Sequence, residues 1–324
     1  MPKAIIVRNT GGPEVLKMEN IVAPKQPGPG QALVRHSAIG VNFMDIYYRK
    51  GIYKAPRLPM IPGMEAVGVV EAVGEGVKVP VGMRVAYATA QTGAYCEQRL
   101  INEKHLVGVP DFISDEVAAA VFARALTTHF LIFRTYKVRK GDTILVHAAA
   151  GGVGNLLCQW AKHLGANVIG TVSSPEKAQV AKDSGCSHVI IYTQEDFVKE
   201  VMKITKNQGV IAAYDSVGKD TFDKSLQCIS PFGLMISYGQ SSGVVPPVNI
   251  LSLAKKSLYL TRPTIMQYKS DRRELILSGL EVWKMIQDGV LKVNIGNKFK
   301  LEDAAKAHSL IESRKTVGST ILMV

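Results

Sequence analysis

Residues 147–154 read His-Ala-Ala-Ala-Gly-Gly-Val-Gly, and what flanks them leaves few folds open. Before them, Thr143–Ala148 is a continuous apolar run, the pattern of a strand covered on both faces. After them, Val153, Leu157, Ala161 and Leu164 recur at spacings of four, four and three, which predicts one apolar face on a helix over Gly152–Leu164. A strand that turns into a helix through small residues brings the free N–H groups of the helix start against an anion. The usual spacing of such a turn is G-x-G-x-x-G. Here Ala149 stands at the first position, Gly151 at the second and Gly154 at the third. Gly151 has no side chain to hold a pyrophosphate away, and Gly154 lets helix and strand pack closely. Ala150, Gly151, Gly152 and Val153 are therefore candidate dinucleotide-binding residues.

The alternation continues downstream. Asn167–Val172 reads as a strand, followed by a helix capped by Ser174, with Pro175 at its first position and Gly185 at its end. Val189–Tyr192, Val210–Asp215 and Leu234–Tyr238 read as strands, with helices at Asp196–Lys206 and Thr221–Ile229 between them. Ser257–Thr261 is a candidate closing strand. This predicts an α/β fold with a Rossmann doubly wound parallel sheet. The first 120 residues differ: short β-branched runs (Ala4–Val7, Ala32–Ala38, Ala66–Val73, Arg84–Ala88) alternate with Gly/Pro turns and show little helical periodicity. That predicts a small all-β unit. After residue 265, helices at Glu274–Asp288 and Glu302–Ser313, an extended stretch between them and a last strand at Ser319–Val324 are expected to return to the first unit. The expected boundaries are 1–124, 125–264 and 265–324.

The end of the second strand speaks to the cofactor. An enzyme using NAD places Asp or Glu about 20 residues past the glycine loop to hold the ribose hydroxyls. Here that stretch is Gly170-Thr171-Val172-Ser173-Ser174, with no acid. Ser173 offers a hydrogen bond and Lys177 a positive charge, which suits the 2′-phosphate of NADPH.

Composition narrows the class further. No signal peptide is expected at the N-terminus, nor any window with the roughly 18 apolar residues of a membrane span, so a cytoplasmic protein without a membrane partner is expected. The four cysteines form no CxxC pair and are expected to be reduced. The net charge of +12 favours anionic partners, and keeps nucleic acid as an alternative of another class. No RNA motif and no basic stripe with interleaved aromatics supports that alternative.

Segments spread over the chain carry a resemblance: Gly11–Leu16, Ala38–Tyr53, Gly63–Gly68, Ala148–Gly154, Tyr214–Gly218, Tyr238–Gly243, Thr261–Thr264 and Ser313–Ser319. The chain resembles the quinone oxidoreductases of the zeta-crystallin type, within the zinc-dehydrogenase-like, medium-chain dehydrogenase/reductase superfamily. The resemblance implies a GroES-like β-barrel domain wrapped around the Rossmann domain, a cofactor in the cleft between them, and a homodimer. Zinc-dependent relatives carry a Cys and a His where this chain has Asn42 and Met64, and a cysteine-rich lobe where Thr92–Glu97 runs straight on. Zinc takes about four ligands, so no metal is expected. Without a Lewis acid, a quinone or conjugated enone is an easier acceptor than a simple ketone. The resemblance places Asn42 and Thr127 near the nicotinamide, and Asp45 in the barrel segment that faces the cleft, where it either binds cofactor or caps a helix through Tyr48. Tyr192 falls on the adenosine side. Ser216, Tyr238, Gly239 and Gln240 lie along the cofactor, and Arg262 and Arg314 reach it or brace the domains. Tyr47 and Tyr53 are expected to line the quinone pocket, where a phenol can stack and donate a hydrogen bond. Asn42, Tyr47, Tyr53 and Thr127 are the candidate catalytic residues. An enone reductase of the same fold and a purely structural role are the rival readings.

Overall fold

The computed structural model describes residues 1–324. In chain order the elements are β1 (Lys3–Ile6), β2 (Lys17–Asn20), β3 (Gln31–Gly40), α1 (Phe43–Arg49), β4 (Glu65–Val73), β5 (Arg84–Tyr87), β6 (Gln98–Asn102), β7 (Val107–Gly108) and α2 (Asp115–Phe130). There follow β8 (Thr143–His147), α3 (Gly152–His163), β9 (Asn167–Val172), α4 (Pro175–Asp183), β10 (His188–Ile191), α5 (Phe197–Ile204), β11 (Val210–Asp215), α6 (Phe222–Cys228), β12 (Ile229–Ser237) and β13 (Tyr259–Thr261). The chain ends with α7 (Ile265–Tyr268), α8 (Arg272–Gln287), β14 (Ile295–Lys300), α9 (Ala304–Glu312) and β15 (Ser319–Met323). Two compact units result: residues 1–126, 269–287 and 293–324 form one, and 127–268 with 288–292 the other.

In the second unit the strand order is β10-β9-β8-β11-β12-β13, and every neighbouring pair is parallel. The chain starts in the middle at β8, works outward to β10, then restarts on the other side at β11. The strand order therefore reverses between β8 and β11, and ligands of such sheets sit outside the carboxyl ends at that point. Leu145, Ile169, Ala213 and Met235 are fully buried, as a strand covered on both faces requires.

In the first unit β14, β15, β3, β4, β5 and β7 lie side by side, with β6 also paired to β3. β15 joins through Ile321↔Gly40 and Met323↔Ala38, so the end of the chain completes the sheet begun near its start.

Several expectations need correction. The helix α2 was not foreseen. Its residues Ala118–Phe122 are fully buried through more than one turn, so it shows no clear amphipathic stripe. Together with the π-helical turn Leu131–Thr135 it is long and apolar enough to cross a membrane, contrary to the expectation that no such window exists. Its most apolar window is 72% buried within the protein, which makes it a core helix. The helix expected to reach Ile229 stops at Cys228, because Ile229 already pairs with Val210 as the first residue of β12. The stretch Ile295–Lys300 is a strand rather than merely extended.

Candidate active site

Four strand ends, grouped at three places, form the candidate cradle in the second unit. The first is the turn after β8. Ala148 takes a left-handed backbone (φ 52°), and the Gly151 N–H returns to its carbonyl at 2.8 Å. A Cβ on Gly154 would lie 2.3 Å from that same carbonyl oxygen, so only glycine lets α3 come this close. Gly151 is the N-cap of α3, and no side chain caps the helix. Anion binding at a helix start needs that arrangement. Ala149 and Ala150 are buried, while Gly151, Gly152 and Val153 remain partly exposed.

The second strand end is that of β9. Ser174 caps α4 by accepting the Lys177 N–H. The Thr193 hydroxyl donates to the Ser173 carbonyl at 3.1 Å, and the Tyr192 N–H to the Val172 carbonyl at 3.1 Å. Ser173, Lys177 and the exposed ring of Tyr192 are thus brought to one place. The sequence reading passed over Glu176, a fully exposed carboxylate in the same turn. Its pKa is lowered by a hydrogen bond to Ser174.

At the third place, the ends of β11 and β12 close on one another. Asp215, 0% exposed, accepts from the Val217 N–H (2.7 Å), the Gly218 N–H (3.0 Å) and the Thr221 hydroxyl (2.8 Å). The Tyr238 N–H donates to the Asp215 carbonyl at 2.8 Å. A Cβ on Gly239 would meet the Ser216 carbonyl oxygen at 2.6 Å. Ser216, Tyr238, Gly239 and Gln240 therefore form one continuous lip. Arg262 holds it from behind, donating to the carbonyls of Ser237 (3.0 Å) and Gly239 (2.9 Å) and reaching Gln240 at 3.5 Å. These bonds make Arg262 a positioning residue of the lip. Burial pushes the Tyr238 phenol up, with the Ser216 hydroxyl pulling it back.

Sequence reasoning missed the brace under these strand ends. His147 is fully buried and contacts Thr171 Oγ1 and Ser225 Oγ, both at 2.8 Å. The Ser225 hydroxyl donates to the Thr221 carbonyl, so His147 Nε2–H donates to Ser225 and Nδ1 accepts from Thr171. Burial lowers the pKa of His147, in keeping with that neutral form. The histidine that opens the glycine-rich segment was the available signal. Thr127, also in this unit, lies in the last turn of α2. The next residue, Thr128, is buried.

In the first unit, Asn42 sits at the start of α1 and donates its side-chain amide to Glu65 Oε2 at 2.8 Å. That amide, expected to bond cofactor or substrate, has a protein partner the sequence did not reveal. Glu65, 0% exposed, also accepts the Ala123 N–H at 2.6 Å. Burial raises its pKa, and the Arg124 guanidinium, the Ala123 N–H and Asn42 pull it back. Asp45 is likewise 0% exposed and accepts the Asn42 N–H at 2.8 Å. Asp45 closes the capping box at the start of α1, in keeping with its helix-capping reading, and its burial leaves no exposed surface for the expected cofactor contact. Tyr47 is 7% exposed and packs edge-on against Tyr53, ring centres 5.2 Å apart. Tyr53 is half-buried and also meets Tyr48 at 5.7 Å, so of the two expected pocket tyrosines it offers the more open ring. Arg314 lies in the exposed turn after α9, with φ 56°.

Met64 is part of the core, and no cluster of three or more His, Cys, Asp or Glu side chains is placed to hold a metal ion. All four cysteines are buried and free.

Two family models match the chain: the alcohol dehydrogenase GroES-like domain over residues 28–129, and the zinc-binding dehydrogenase over 152–278. The chain is 47% identical to a quinone oxidoreductase of Pseudomonas aeruginosa over the whole of both chains. It is 41% identical to a 2-haloacrylate reductase of a Burkholderia species, over 100% of this chain and 99% of that one. The crystal structure of Escherichia coli quinone oxidoreductase complexed with NADPH superposes with a TM-score of 0.97 at 44% identity, covering 99% of this chain and 100% of that one. With a Rossmann sheet and a GroES-like domain in one chain, and full-length identity at this level, the chain belongs to the quinone oxidoreductase family of the medium-chain dehydrogenase/reductase superfamily.

Proposed function

We propose that this chain is an NADPH:quinone oxidoreductase of the cytoplasm that reduces small quinones without a metal ion. The observation that carries the cofactor choice is the end of β9, where Ser173 and Lys177 stand and the strand itself ends without an acid. NADPH, when bound, supplies the hydride. The uncapped start of α3 and the Gly151–Gly154 turn suit the pyrophosphate, Ser173 and Lys177 suit the 2′-phosphate, and the Ser216–Gln240 lip suits the nicotinamide side. On the first unit, the Tyr53 ring suits stacking on a flat acceptor, and the Asn42 amide suits its oxygen. The test is oxidation of NADPH against a panel of quinones and enones with a chelator present. Turnover of quinones that survives chelation is expected. Activity lost on chelation, with about one zinc per chain by elemental analysis, overturns it. A second reading, reduction of a conjugated enoate or enone, is favoured by the 2-haloacrylate reductase relative. The same panel separates the two.

Replacing Lys177 by alanine is expected to weaken NADPH by roughly 1–3 kcal/mol, the range of a lost charged hydrogen bond, and to leave NADH nearly unchanged. Fluorescence titration with both cofactors measures this. Equal losses show that Lys177 does not read the 2′-phosphate.

The sheet's last strand, β13, bears exposed Tyr259 and Leu260, and Ile250 and Leu251 are more than 70% exposed just before it. An apolar edge with unpaired backbone groups invites pairing, and two copies of one edge can meet across a two-fold axis. A homodimer is the expected assembly. Light scattering at micromolar concentration checks it, and a mass near the 35.1 kDa of one chain overturns it.

A further inference from the structure

α1 carries two buried charged residues four positions apart, Asp45 and Arg49, both 0% exposed. At that spacing both lie on one face of the helix. They are joined through two residues from other parts of the first unit. Arg49 Nη1 meets His308 Nδ1, on α9, at 3.2 Å. His308 Nε2 meets the Tyr95 hydroxyl at 2.9 Å, and that hydroxyl donates to Asp45 Oδ2 at 3.1 Å. Tyr95 is itself fixed: its N–H donates to the Pro62 carbonyl and its carbonyl accepts from Ile5, both at 2.9 Å. Its ring fills the space that Gly63 leaves open, where a Cβ would fall 2.2 Å from a ring carbon. At the far end Arg49 bonds the Gly11 carbonyl at 3.1 Å and Glu312 at 2.6 Å, and Lys50 pairs with the same Glu312.

The direction of every bond in this chain is determined. A guanidinium only donates, so His308 Nδ1 accepts and its proton sits on Nε2. Nε2–H therefore donates to Tyr95, and Tyr95 donates to Asp45. Burial holds His308 down at about 3, so it stays neutral throughout the working range. An arginine does not give up its proton in proteins, so the chain is no proton conduit. It is a one-way series of donors that ends on the Asp45 carboxylate, whose other acceptor bond comes from the N–H of Asn42.

We propose that Tyr95 and His308 are positioning residues: the donor chain Arg49–His308–Tyr95 keeps Asp45 as the clamp on the start of α1, and so fixes Asn42 and the tyrosines that face the acceptor. This rests on the quinone site proposed above. Burial pushes Asp45 up to about 7, the Asn42 N–H and Tyr95 pull it down, Glu65 of β4 raises it and Arg124 of α2 lowers it. Tyr48 on its own helix feels the same charge. A charge-assisted donor favours the ionised form, so its loss raises the pKa further.

Tyr95→Phe removes one hydroxyl and keeps the ring. The wild-type KM for a small quinone is expected to climb as pH falls through about 7. In Tyr95→Phe the climb starts one to two pH units higher, the shift set by losing a hydrogen bond to a charged group. His308→Gln moves it in the same direction. Asp45→Asn gives a raised KM, by about tenfold, with that pH dependence gone. NADPH affinity is unchanged in all three.

A readout that needs no turnover goes with it. Asp45 binds its proton more tightly folded than unfolded, so its contribution to stability is full below about pH 4 and is lost as pH rises through about 7. The pH dependence of the denaturation midpoint, taken relative to Asp45→Asn, records this loss, and Tyr95→Phe extends it to higher pH. A midpoint profile that Tyr95→Phe merely lowers, without moving it along the pH axis, overturns the proposal. A moved profile with an unmoved quinone KM also overturns the positioning role if Tyr53→Ala raises KM. If Tyr53→Ala leaves KM unmoved too, the failure lies in the quinone site itself.

Discussion

Glu65→Ala is expected to cost about 3–5 kcal/mol of stability, the range for leaving one partner of a buried charge interaction uncompensated. Glu65 and Arg124 are both at least nine-tenths buried. Arg124 donates its guanidinium to the carbonyls of Ala120 (2.6 Å) and Val41 (2.7 Å), and the Glu65 carboxylate is the main charge that holds its pKa up against burial. The alanine variant also removes the acceptor that Glu65 offers to the Ala123 N–H and the Asn42 amide, at 2.6 and 2.8 Å. Glu65→Gln separates these effects, because its carbonyl oxygen can still accept from Ala123 while the charge is gone. Glutamine is expected to recover part of the loss, and chemical denaturation of both variants measures it. If both variants unfold within about 0.5 kcal/mol of wild type, the ordinary range for surface changes, Arg124 does not depend on Glu65.

The reach of the sequence is uneven for physical reasons. β8, α3 and β9 are legible because their signals are local: an apolar run, an amphipathic repeat, and a Ser174-Pro175 cap that the structure reproduces down to the Lys177 N–H. α2 is not legible, since a helix buried over most of its surface has no clear polar face to give it a period. The same contrast divides the candidate site. The glycines after β8 announce themselves by spacing. The side-chain partner of Asn42 lies 23 residues away on β4, and Tyr95, which bonds Asp45 beside the local Asn42 N–H, lies 50 residues away. Such pairings arise only once the sheet is assembled, so the capping role of Asp45 was legible locally while its bond to Tyr95 in the interior was not. Arg262 shows an intermediate case. Its place in the Thr261–Thr264 segment was noticed, but its hold on the Ser237 and Gly239 carbonyls depends on β12 and β13 lying side by side.

The larger functional effect is expected at Tyr53, and substitution to alanine and to phenylalanine divides it into two parts. Alanine removes a half-buried ring that packs edge-on against both Tyr47 and Tyr48. Phenylalanine keeps the ring and removes only the hydroxyl. If the ring serves as a stacking surface for the acceptor, phenylalanine is nearly silent and alanine raises the quinone KM. If the hydroxyl also donates to a quinone oxygen as charge develops there, phenylalanine lowers kcat as well, by about 10- to 100-fold for a loss of roughly 1.4–2.7 kcal/mol. We expect the first pattern, because a quinone is already electrophilic and its reduced form can take protons from water. Tyr47, only 7% exposed, is expected to follow Tyr53 in KM by a smaller factor, since its ring mainly supports that of Tyr53. Steady-state kinetics with several quinones, beside NADPH titration without quinone, distinguish these outcomes. Wild-type kinetics in all four variants, Ala and Phe at each position, mean that the acceptor binds elsewhere and that these tyrosines are packing residues.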